Sequence, residues 1–104
     1  MKIKFPKEVT ILSNRMKIVQ LKDSHGGYFS FGDCEIGIGV KGINTDPHHV
    51  FQVISHELME AILYCLGARY ESHREEKHYL FNFDHQKFET ANQVYCDIII
   101  KFII

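Results

Sequence analysis

The chain predicts an α+β fold: a small N-terminal antiparallel sheet, then a buried helix carrying polar groups, then a C-terminal helix. Three observations predict it. Short alternating apolar runs separated by turn residues fill roughly the first forty positions. A long apolar segment bounded by Asp46-Pro47 and Gly67 follows them. Phe88, Ala91, Tyr95, Ile98 and Phe102 then recur at three- and four-residue spacing, the mark of one helical stripe. With 104 residues and no internal repeat or linker, residues 1–104 read as a single domain.

Val9-Thr10-Ile11-Leu12 and Met16 to Leu21 flank the polar turn Ser13-Asn14-Arg15, which predicts a hairpin. Tyr28-Phe29-Ser30-Phe31 predicts a third extended segment, and Glu35 to Lys41 a fourth. In that fourth run Ile36, Ile38 and Val40 share one face with glycines between them. Gly37, Gly39 and Gly42 match the spacing of a dinucleotide-binding loop. They lie inside the strand pattern rather than at a helix opening, so the spacing is taken as accidental. The missing side chains instead leave that strand open to another backbone or a ligand.

Asp46 can cap free amides, Pro47 suits the first helical position, and Gly67 suits a left-handed stop, so a helix is expected from about Pro47 to Leu66. Its apolar residues take up most of the circumference, which predicts near-complete burial. Arg69 to His78 reads as irregular, Tyr79 to Phe83 as a short extended segment belonging to the core, and Asp84 as the cap of the last helix.

The net charge of −1 is spread along the chain, which argues against a nucleic-acid partner or an anionic membrane surface. No apolar run reaches the length of a signal peptide or of a membrane span. Cys34, Cys65 and Cys96 form no C-x-x-C pair, so a reducing, cytoplasmic compartment is expected. The C-terminal isoleucines Ile99, Ile100, Ile103 and Ile104 exceed what one stripe needs, which suggests a homodimer through the C-terminal helix.

The chemistry lies in His56-Glu57-Leu58-Met59-Glu60. Residues four apart stand one helical turn above each other, so His56 and Glu60 project together, with Glu57 about 100° around the helix. Two carboxylates beside a histidine in a greasy helix call for compensation, and a bound cation, most simply zinc, supplies it. A metal-free polar pair of His56 with Glu60 or Glu57 is the plain alternative. H-E-x-x-E differs from H-E-x-x-H by one carboxylate, and two histidines with a glutamate are an accepted zinc donor set. The third ligand comes from His85, His73, His78 or Asp84. His85 is preferred because it opens the last helix, while His73 and His78 lie in a charged stretch and His25 reads as a surface residue. His48 and His49 fall in the first turn of the long helix, where the dipole disfavours a charged imidazole, so surface exposure or a local role near the site is all that is expected of them.

The order of these parts, with Val53-Ile54-Ser55-His56-Glu57-Leu58-Met59-Glu60-Ala61-Ile62 and Phe83-Asp84-His85-Gln86-Lys87-Phe88, resembles the minimal zincins, compact metallopeptidase-like domains often encoded by phages and prophages. The similarity covers roughly residues 35–89. It departs at Glu60, where zincins have a second histidine, and Leu63 and Leu66 exclude the extended metzincin pattern. The resemblance implies a zinc-dependent metallopeptidase: His56, Glu60 and His85 hold Zn2+, and Glu57 takes a proton from the attacking water. The 35–41 strand pairs with an extended peptide, and Tyr64, Tyr70, His73 or Tyr79 supplies an oxyanion donor. A non-catalytic phage accessory or inhibitor-type binding protein, with a structural metal or none, is the alternative; a further ligand such as His78 would close the position that water needs.

Overall fold

The computed structural model describes residues 2–71 and 79–104, with the backbone alone at 70 and 71. Strands β1 (Glu8–Ile11) and β2 (Asn14–Leu21) form the expected hairpin. Its turn is tighter than the expected three residues. Ile11 pairs with Asn14, so only Leu12 and Ser13 connect the strands, and Leu12 takes the left-handed conformation at φ 57°. Strands β3 (Gly27–Ser30) and β4 (Glu35–Gly39) form a second hairpin.

The four strands are ordered β1-β2-β4-β3, and β2 runs parallel to β4. The expectation of an antiparallel sheet therefore needs correcting at this one junction. After β2 the chain skips a position to lay down β3 at the edge, and the tight β3–β4 turn returns β4 into the gap. Two antiparallel hairpins are thus joined by one parallel seam. In β4, Ile36 and Ile38 are buried in the core, while Gly37 lies beneath the Tyr28 ring and Gly39 against the backbone of Ser24 and Gly26. The open strand face is filled by this chain's own parts, and no helix opens at these glycines.

Helix α1 (Pro47–Cys65) starts and stops where its signals lie. The Asp46 side chain accepts from the His49 amide, Pro47 occupies the first turn, and Gly67 turns at φ +71°. The expectation of near-complete burial is corrected, because α1 is amphipathic. Val50, Ile54, Leu58, Ala61 and Ile62 are sealed against the sheet, whereas His48, Gln52, His56 and Tyr64 face solvent. Composition counted the apolar residues correctly, but no other element among the described residues covers an arc of the circumference.

Arg69–Glu71 is a strand rather than irregular, and it pairs with Tyr79–Phe81 to form the two-stranded sheet β5-β6. Expectations placed on residues 72–78, including His73 and His78, lie outside the described residues. The aromatic run is not core: Tyr79, Leu80, Phe81 and Phe83 are all exposed, Tyr79 by 52%. Alternation could not bury them, because a two-stranded ribbon at the rim has no layer above it.

Helix α2 (His85–Ile99) is capped by Asp84, whose side chain accepts from the Lys87 amide, and a 3-10 turn, Ile100–Phe102, follows. Helix α1 packs on β3 and β4, and α2 packs on α1 and β1. A hydrogen bond of 2.7 Å between the Ser55 and Tyr95 hydroxyls ties the two helices together. Val9, Ile11, Met16, Ile36 and Ile38 from the sheet meet Val50, Ile54, Leu58 and Ile62 from α1 and Ile98 and Phe102 from the C-terminal segment in one core. Among the described residues no helix is long and apolar enough to cross a membrane.

Candidate metal centre

The uncovered arc of α1 faces edge strand β3 across a groove of about 760 Å³. Gly27 pairs with Ile38 and Phe29 with Ile36, so both present the inner face of β3 to the helix. From α1 come His49, Gln52, Val53, His56, Glu57 and Glu60. These positions follow helical spacing along one side. Arg69 and Tyr79, paired strand to strand with neighbours in β5 and β6, close the groove.

Within this groove His56, Glu57 and Glu60 bring three donor atoms within 4.8 Å of one another. His56 Nε2 stands 3.7 Å from Glu60 Oε2, as their spacing of one turn requires. The His56 side chain is 69% exposed and that of Glu60 19%. Glu57 is only 4% exposed, and it is the one buried charged residue of the described chain.

Burial of Glu57 follows from Gly27. A Cβ at Gly27 would stand 2.7 Å from the Gly37 carbonyl, 2.9 Å from Val53 Cγ1 and 3.0 Å from Glu57 Cγ, so any side chain there would occupy the space of the Glu57 stem. Removal from water raises the Glu57 carboxyl above its ordinary value of 4.5. The His56 ring opposes this, the Glu60 carboxylate adds to it, and the Arg69 guanidinium weakly opposes it.

The remaining candidates are dispersed. His85 is exposed, stands 3.6 Å from Glu89, lies beside the Phe88 ring, and takes no part in the His56-Glu57-Glu60 cluster. Asp84 is occupied as the α2 cap. His73, His78 and the Tyr70 side chain lie outside the described residues. Tyr79 lines the groove, and Tyr64 lines an adjoining hollow with Phe29, Phe31, Arg69 and Tyr79.

Surface exposure or a local role near the site was all that the sequence allowed His49; it lines the groove, two turns before His56 on the same side of α1. Its Nε2 donates to the His25 carbonyl at 2.8 Å, which ties α1 to the loop before β3. His25 and Arg69 left no such signal, because their positions depend on pairings between distant segments. Comparison of the chain with protein families, curated proteins and solved structures finds no match.

Proposed function

We propose that this protein is a zinc-dependent hydrolase of peptide bonds. The observation that carries the reading is the convergence of His56, Glu57 and Glu60 on one point in the wall of an open groove. His56 and Glu60 fit two of the three protein positions of a catalytic zinc, and the third falls to one of the candidates His85, His73, His78 and Asp84. Two tetrahedral zinc ligands stand about 3.3 Å apart when each bond is about 2.0 to 2.1 Å, and the 3.7 Å between His56 and Glu60 needs only a small side-chain adjustment. A carboxylate as buried as Glu57, with no ion pair to a described lysine or arginine, is the other feature a cation would compensate.

In this reading His56 and Glu60 hold the metal, which supplies Lewis acidity to water and carbonyl oxygen when bound. Glu57 receives the proton of the attacking water, and burial, which raises its carboxyl above the ordinary value, makes it more basic than an exposed glutamate. The peptide lies along β3, not along the 35–41 strand. β4 is hydrogen-bonded on both sides, by β2 and by β3, whereas β3 is an edge of the sheet. Among the described candidates Tyr79 lines the groove, and in this reading it donates to a developing oxyanion. Free Cys34, Cys65 and Cys96 support a cytoplasmic compartment.

A second reading is favoured by one feature: Glu57 lies within the donor cluster itself. If it ligates, no base remains and the protein is a metal-holding binding module. Assay of the zinc-loaded protein on a mixed peptide substrate, beside Glu57→Gln, separates the two. Activity that falls by a factor of about 100 or more in the variant supports the hydrolase. A zinc-loaded wild-type protein without activity refutes it.

A further inference from the structure

Arg69 is the one lysine or arginine among the described residues of the groove wall. Its guanidinium carbon lies 3.6 Å from the centre of the Tyr79 ring, with the rings of Phe29 and Tyr64 at 5.5 and 5.9 Å. Stacking of this kind fixes the plane of the fork and covers its face, which leaves the in-plane N–H groups as its binding edge. No carboxylate of the described residues stands within ion-pair distance, and the buried Nε has no hydrogen-bond partner among them. The same residue lines both the main groove and the adjoining aromatic hollow. A held cation therefore sits between the groove of the His56-Glu57-Glu60 cluster and the aromatic hollow beside it.

We propose that Arg69 is the specificity residue of this groove and takes a carboxylate of the bound peptide, an assignment that rests on reading the groove as a peptide site. A planar carboxylate matches the fork with two parallel hydrogen bonds. A single negative charge also suits a wall that holds Glu57 and Glu60 better than a dianionic group would. That carboxylate is supplied either by the C-terminus of the peptide or by an aspartate or glutamate side chain.

The test uses three acetylated tripeptides of otherwise equal sequence: one with a free C-terminus, its C-terminal amide, and an amide with glutamate in place of a neutral residue. Dissociation constants are measured by calorimetry with and without one equivalent of zinc, on the wild type, Arg69→Gln and Arg69→Lys. Charge-assisted pairing predicts that one acidic probe binds the wild type about tenfold or more tightly than the neutral amide. Which acidic probe shows the preference identifies the source of the carboxylate. The ratio falls to about one in Arg69→Gln and to an intermediate value in Arg69→Lys, which keeps the charge without the fork. Zinc affinity is unchanged in Arg69→Lys and is not weakened in Arg69→Gln, which removes a positive charge that acts on Glu57; circular dichroism reports their folding, and Arg69→Lys carries the comparison if Arg69→Gln unfolds. Equal binding of all probes, no binding of either acidic probe, or a preference that survives Arg69→Gln overturns the assignment. An Arg69-dependent preference in a protein that binds no zinc would keep this assignment and remove the hydrolase reading; zinc binding without the preference would do the reverse.

Discussion

Glu57 couples the site to the stability of the fold. Its raised carboxyl means that the folded protein holds this proton more tightly than the unfolded chain, where the value is near 4.5. The contribution to stability is therefore fully present below about pH 4.5 and is lost as pH rises through the higher folded value. We expect Glu57→Gln to remove that loss. In the absence of metal its melting temperature should exceed that of the wild type at pH 7, and the two should converge near pH 4. Thermal unfolding across this range checks it, and a variant less stable than the wild type at pH 7 would contradict it. Gly27 is the matching residue on the sheet side. Gly27→Ala forces a Cβ against the Gly37 carbonyl and the Glu57 stem, and overpacking of this kind costs about 1 to 3 kcal/mol. A lower midpoint in urea together with weaker zinc binding is the expected result. The pairing of His56 with Glu60 was legible in the sequence because it needs only the helical period. The burial of Glu57 was not, because it depends on a glycine thirty positions earlier in a strand whose place is set by long-range pairing.

Among the elements, those with local punctuation were legible. Asp46, Pro47 and Gly67 bound α1, and Asp84 starts α2, because caps and stops act on the backbone within a few residues of themselves. Asp46→Ala should cost about 1 kcal/mol of stability. It should leave zinc affinity untouched, since the donors lie about three to four turns further along α1; calorimetric unfolding and zinc titration read the two effects separately. The parallel seam between β2 and β4 had no such mark, since alternation reveals a strand but not its neighbour. The turn at Leu12 was also missed. A leucine at φ 57° is an unfavoured choice that local preference would not select. Leu12→Asn, which tolerates that conformation, is expected to raise the melting temperature by a few degrees, and a fall would show that Leu12 contributes packing the turn depends on.

At the scale of the described molecule, a four-stranded sheet, a two-stranded ribbon and two helices leave a polar groove on one side and apolar residues exposed on the ribbon and at the C-terminus. Ile99 is buried, so a homodimer through the C-terminal segment would rest on Ile100, Ile103 and Ile104, which are exposed. Light scattering tests this expectation: twice the chain mass that reverts to the chain mass in Ile104→Asp supports it, and a monomeric wild type removes it. The groove and its cluster do not depend on that outcome, because every donor comes from one chain. Whether His56, Glu57 and Glu60 form a metal centre is read by metal analysis of untagged protein by mass spectrometry. One zinc per chain is expected in the wild type and its loss in His56→Ala and Glu60→Ala; a wild-type protein that takes up no zinc, or variants that retain it in full, would overturn the metal centre.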